Sequence, residues 1–82
     1  MKVEFPQVLT IVRDFVARKR GVSADAIGPA TALLREGCVD SFQLVELIVD
    51  LEKRLGDAIP EGSLIPEDFE TPQTLYERLL DI

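Results

Sequence analysis

The residues best placed for chemistry lie in Gly37-Cys38-Val39-Asp40-Ser41-Phe42, which delivers a serine to the start of the most apolar stretch of the chain. A hydroxyl in the first turn of a helix is exposed and faces the positive end of the helix dipole. A phosphodiester formed on it is therefore favourably placed. On these residues alone the plainer role has the stronger claim: Asp40 or Ser41 is simply the residue that caps the helix, accepting hydrogen bonds from its unpaired amides. Other chemistries are poorly supplied. With no His there is no Ser/His or Cys/His pair, and a single Cys makes no zinc site. There is no phosphate-cradling glycine loop with a lysine behind it. Glu46/Asp50 and Glu67/Asp68 are carboxylate pairs in form, but on an acidic surface they read as solvated. Cys38, a small thiol beside Val39, reads as packed rather than reactive.

The elements that must position Ser41 can be read from apolar spacing. From Phe5 to about Arg20, the residues Phe5, Val8, Leu9, Val12, Phe15 and Val16 recur at steps of three and four, which predicts a helix with one buried face. Pro6 suits its first turn. Arg18, Lys19 and Arg20 crowd its negative end, where the dipole alone explains them, before Gly21 stops it. Residues 21 to 40 show no sustained period and contain Gly28, Pro29 and Gly37. They read as a long loop with a short helical turn near Ser23 to Ile27, anchored by Val22, Ile27, Leu33 and Leu34.

Ser41 to Leu55 is the second helix, with Leu44, Leu47, Ile48, Leu51 and Leu55 on one stripe and Gly56 after it. A second set, Phe42, Val45 and Val49, lies part-way round from the first. The helix is either packed on two sides or presents a docking surface. Pro66-Glu67-Asp68-Phe69 suggests one short helical turn. Thr71 and Pro72 then open a last helix, with Leu75, Tyr76, Leu79 and Leu80 facing inward. No strand pattern appears, so the expected fold is all-α: a small four-helix bundle of three main helices and one short one, with a long loop between the first two. Residues 1 to 82 are expected to form a single domain.

Composition narrows the function. A chain of 82 residues buries only about 60% of the surface its unfolded form exposes, which leaves little room for a catalytic scaffold around a substrate cavity. The formal net charge is -6, and the overall field repels nucleic acid. The charge is uneven. Residues 1 to 20 carry five cations against two anions, and the rest of the chain four against thirteen. Such asymmetry marks either a solvated surface or a surface for a basic partner. Glu4, Pro6, Gln7, Arg13 and Asp14 interrupt any secretory signal, no stretch approaches a membrane span, and the lone Cys fits a reducing compartment. A soluble cytoplasmic protein, not inserted in a membrane and monomeric, is the expectation.

Asp40-Ser41-Phe42, then Val45-Glu46-Leu47-Ile48, Leu51-Glu52, Ile59-Pro60, and Phe69 with Thr71-Pro72, resemble the acyl carrier protein family, whose members bear a 4'-phosphopantetheine arm. The resemblance covers about residues 35 to 80. It implies a non-catalytic carrier with Ser41 as the point at which a phosphopantetheinyl transferase attaches the arm from coenzyme A. An acyl- or aminoacyl-activating ligase would load the arm's thiol, and a downstream acyl transferase or synthase would unload it. The same resemblance places Asp40 beside the cofactor and maps Phe42, Val45, Glu46 and Val49 to the recognition face. Glu36-Gly37, Ser41-Phe42-Gln43 and Phe69-Glu70-Thr71-Pro72 look closest to D-alanyl and other stand-alone aminoacyl carriers. The fatty-acid type usually has Leu after the serine and more acids where Lys53 and Arg54 stand here. Two alternatives remain: a small helical adaptor that binds a partner through Phe42, Val45 and Val49 without any cofactor, and a carrier acting through the Cys38 thiol.

Overall fold

In a computed structural model that describes all 82 residues, α-helices form where the apolar spacing runs longest. They are α1 (Phe5–Arg20), α2 (Ser41–Leu55) and α3 (Pro72–Leu80). Two short 3₁₀ turns, Ala24–Ala26 and Pro66–Phe69, interrupt the connections. The architecture is the expected all-α bundle, its fourth member being the Pro66–Phe69 turn. No helix is long and apolar enough to cross a membrane.

Local chemistry sets the helix ends. Gln7 Oε1 accepts from the Glu4 amide at 3.0 Å at the start of α1, and Thr71 Oγ1 accepts from the Thr74 amide at 3.0 Å at the start of α3. At its far end α1 stops at Gly21, whose φ of 68° is left-handed and carries no Cβ penalty; its amide donates to Ala17 O at 2.9 Å.

The core is one cluster to which all three α-helices contribute. α1 supplies Val8, Ile11, Val12, Phe15 and Val16, α2 supplies Leu44, Leu47 and Leu51, and α3 supplies Leu75 and Leu79. Val3, Ile27, Leu33, Val39, Ile59 and Phe69 complete it from the connecting segments. α1 packs against both other helices, whereas α2 and α3 make no close backbone contact with each other and are joined through α1 and the Pro66–Phe69 turn. Helix α1 is thus the spine.

The long loop is held at several points. Leu33 N donates to Glu70 O at 3.0 Å and Gln73 N to Pro29 O at 3.1 Å, which ties the loop to the start of α3. Arg13 Nε donates to Ile27 O at 2.6 Å from α1. These bonds satisfy backbone groups that a loop lying over a core would otherwise leave unpaired.

Four expectations about packing need correction. Val22 does not anchor the loop; it is 43% exposed, because the chain turns outward after Gly21. Leu80 is 44% exposed, since it lies about 100° round the helix from Leu79, which is the residue of the last turn that enters the core. Ile11 is buried although the spacing pattern omitted it: it shares the face of Val8 and Phe15, where α1 is clasped from two sides rather than one. Asp68 is not simply solvated; it accepts from the Ile65 amide at 2.9 Å and lies 3.7 Å from Arg78.

Leu47 is fully buried at the α1–α2 seam. Leu47→Ala is expected to cost about 2–5 kcal/mol in urea unfolding, whereas Leu80→Ser should stay within about 0.5 kcal/mol of the parent chain.

Candidate functional site

The site is built around the first turn of α2. The choice between Asp40 and Ser41 as cap is resolved by geometry: Asp40 is the cap, its Oδ1 accepting from the Gln43 amide at 2.8 Å. Gln43 returns the bond, its Oε1 accepting from the Asp40 amide at 3.2 Å. This reciprocal pair takes up two of the four unbonded amides at the helix start. It leaves the amides of Ser41 and Phe42 without a partner in the helix, and it leaves the exposed Ser41 hydroxyl out of the cap altogether.

The approach to this turn is fixed from beneath. Gly37 adopts a φ of 73°, reversing the chain after the turn at Ala32 to Glu36. Cys38 N and Val39 N both donate to Leu33 O, at 2.8 and 3.2 Å, and Val39 is buried two residues before Ser41. Cys38 is partly buried against the core. Burial pushes its thiol above the ordinary range, Glu36 adds to the rise, and Arg20 opposes it.

Along α2 the second apolar stripe faces outward. Phe42 is 77% exposed, Val45 63% and Val49 45%. Helix α2 is therefore packed on one side only, and of the two readings of its surplus apolar surface the structure has the outward-facing one. Val45 stands between two open grooves. One, of about 470 Å³, runs between α1 and α2 past Val49 and Lys53; the other, of about 360 Å³, lies toward Ile59 and Leu64.

The charges depart from the sequence reading. Arg18, Lys19 and Arg20 do more than sit on the end of a dipole: they reach across to α2. Lys19 Nζ lies 2.9 Å from Glu46 Oε2, Arg18 Nη2 lies 3.4 Å from Asp50 Oδ2, and Arg20 Nη2 lies 3.9 Å from Asp40 Oδ2. Arg18 and Lys19 also cover the ring of buried Phe15 at 5.8 and 5.6 Å. Further along, Arg54 meets Asp14 at 3.0 Å. Glu46 and Asp50 are thus ion-paired and not merely solvated. Spacing within one helix could not reveal this, because each partner lies on a different element.

What the arrangement offers is an exposed hydroxyl beside two free backbone amides at the positive end of a fifteen-residue helix, next to an apolar stripe. This donor set fits a phosphodiester on the hydroxyl. Residues 10–79 match the family model described as "Phosphopantetheine attachment site". The chain belongs to the phosphopantetheine-bearing carrier proteins. Two curated relatives carry the name D-alanyl carrier protein. The one from Bacillus velezensis is 29% identical over 80 residues, covering 98% of this chain and 99% of that one. The one from Bacillus pumilus is 33% identical over 54 residues, covering 66% of this chain and 69% of that one. No solved structure matches. The family is non-catalytic, and the cofactor of this carrier is 4'-phosphopantetheine. Like the family at large, it works through transferases and ligases.

Two measurements follow from the geometry. Asp40→Ala should lower stability by about 1 kcal/mol, with Asp40→Asn recovering most of the loss, as judged by thermal unfolding. Alkylation of Cys38 should be slower than that of a free small thiol at neutral pH, with its rate still rising at pH values where an unhindered thiol has levelled off.

Proposed function

We propose that Ser41 is the residue that carries the phosphopantetheine arm, and that residues 1–82 act as one stand-alone aminoacyl carrier domain. The observation that supports this most is the division of labour at the start of α2: Asp40 and Gln43 close the cap, so the Ser41 hydroxyl is left exposed and unengaged. A phosphopantetheinyl transferase would join Ser41 Oγ to the phosphate of the phosphopantetheine unit of coenzyme A. Adenosine 3',5'-bisphosphate leaves as the pyrophosphate bond of coenzyme A breaks, and the hydroxyl proton passes to a base on the transferase. The unpaired amides of Ser41 and Phe42 then face the phosphodiester and offset its charge. Once attached, the arm supplies a thiol on which cargo is held as a thioester. The carrier's own residues provide position and recognition.

Recognition falls to Phe42, Val45 and Val49, which stand exposed on the side of α2 that follows Ser41. Glu46 lies on the same helix but is tied to Lys19, so it contributes as one half of an ion pair and not as a free acid. Asp40 serves the site through its cap. The names of the two relatives favour D-alanine as cargo; an aminoacyl-activating ligase would then load the arm and a downstream acyl transferase or synthase would unload it. A single reduced cysteine agrees with work in the cytoplasm, and the carrier is expected to act as a monomer.

Mass spectrometry tests the assignment. Incubation with coenzyme A and a broad-specificity transferase should add one phosphopantetheine to the parent chain and none to Ser41→Ala, while Cys38→Ala is modified normally. A parent chain that stays unmodified would leave the cofactor-free adaptor as the better reading. A ligase assay with D-alanine, other amino acids and fatty acids should then give a D-alanyl adduct on the modified chain.

Pairing also affects docking rates. Because Glu46 and Asp50 are largely neutralised from within, association with the transferase should slow only mildly between about 50 and 300 mM salt. Lys19→Ala, which frees Glu46, should steepen that dependence in stopped-flow measurements.

A further inference from the structure

Arg20, the last residue of α1, touches the approach to α2 and its cap together. Its Nε donates to the Cys38 carbonyl at 3.1 Å, and its Nη2 donates to Gln43 Oε1 at 2.9 Å, with Asp40 Oδ2 at 3.9 Å from the same nitrogen. Cys38 belongs to the strand of chain that enters α2, and Asp40 and Gln43 are the two halves of the cap. One guanidinium therefore joins the segment on either side of Ser41 to the end of α1. We propose that Arg20 is a positioning residue for Ser41, holding the start of α2 in register with α1 so that the hydroxyl is presented at one fixed place. The proposal rests on the assignment of Ser41 as the attachment residue.

First, the anchor is packed: Phe15 and Val16, about one turn before Arg20, are buried in the core, and Gly21 ends the helix immediately after Arg20. Second, Gln43 Oε1 accepts from two donors, the Asp40 amide and Arg20, so the position of the arginine and the closure of the cap are coupled. Third, the geometry needs a fork. Nε and Nη2 address two acceptors in different directions, and a lysine ammonium, a compact point charge, cannot hold both in the same way. Arg20 does not reach Ser41 itself; it acts through Cys38, Asp40 and Gln43. Neither Arg18 nor Lys19 substitutes for it, since their partners, Asp50 and Glu46, lie further along α2.

The test compares the parent chain with Arg20→Ala and Arg20→Lys, with Ser41→Ala as control, in two independent readouts. By NMR hydrogen exchange, the amides of Asp40 and Gln43 should exchange about 5- to 10-fold faster in Arg20→Ala, while amides in the middle of α1 and α2 are unchanged. In steady-state modification with coenzyme A and a broad-specificity transferase, kcat should fall by about the same factor with KM for the carrier nearly constant. Arg20→Lys should fall between the two in both measurements. Unchanged exchange at both amides in Arg20→Ala overturns the proposal, and so does a loss confined to KM, which would mean that Arg20 contacts the transferase directly. Failure of the underlying assignment looks different: Ser41→Ala would then be modified as well as the parent, while the exchange measurement, which needs no transferase, stands apart.

Discussion

The reciprocal hydrogen bonds between Asp40 and Gln43 decide where α2 begins, and much else follows from that boundary. Were the serine itself the cap, its oxygen would be spent on an amide and turned toward the helix. With Asp40 in that role, Ser41 becomes the first helical residue, its hydroxyl faces solvent, and two amides beside it have no protein partner. The apolar residues then fall into phase behind it. Leu44, Leu47 and Leu51 point into the core, while Phe42, Val45 and Val49 point away. A shift of one residue in the starting point would rotate α2 by about 100° and exchange part of these sets.

The second determinant is the way α1 governs the electrostatics of its neighbour. Counted along the chain, the acids after residue 20 look like a continuous negative surface. In space, the cationic end of α1 lies against α2 and pairs with Asp40, Glu46 and Asp50 in turn, while Arg54 returns the favour to Asp14. Each such pair is partly exposed and adds little to stability by itself. Together they set the relative register of two helices and leave the outward face of α2 more apolar, and less acidic, than its composition suggests.

Most of the fold was legible from local signals. The bounds of α1 and α2, the caps at Thr71 and the two glycines, and the short turn at Pro66 all follow from residue types and spacing, because a helix period and its stop signals are properties of a few neighbouring residues. The exposure of Ser41 was also anticipated, whereas the outward stripe of Phe42, Val45 and Val49 was one of two readings that spacing left open, the one favoured by the family resemblance. What could not be read was anything fixed by meetings between distant segments: the pairing of Lys19 with Glu46, the burial of Ile11, the outward turn of Val22 and Leu80, and the contacts of Arg20. An arginine that bridges a carbonyl and a capping glutamine has no signature in its own neighbourhood.

The bonds that tie residues 29 and 33 to residues 73 and 70 give the loop before Ser41 an unusual dependency. That loop lies in the first half of the chain, yet two of the hydrogen bonds that hold it in place come from the entrance to the final helix. Its path is therefore settled only when the last quarter of the polypeptide is present and docked. A chain cut short before α3 would keep the serine and the sequence around it while losing the fixed approach to it. The presentation of one hydroxyl is in this sense a property of the completed molecule, and it reports on the integrity of a helix entrance about thirty residues further along the chain.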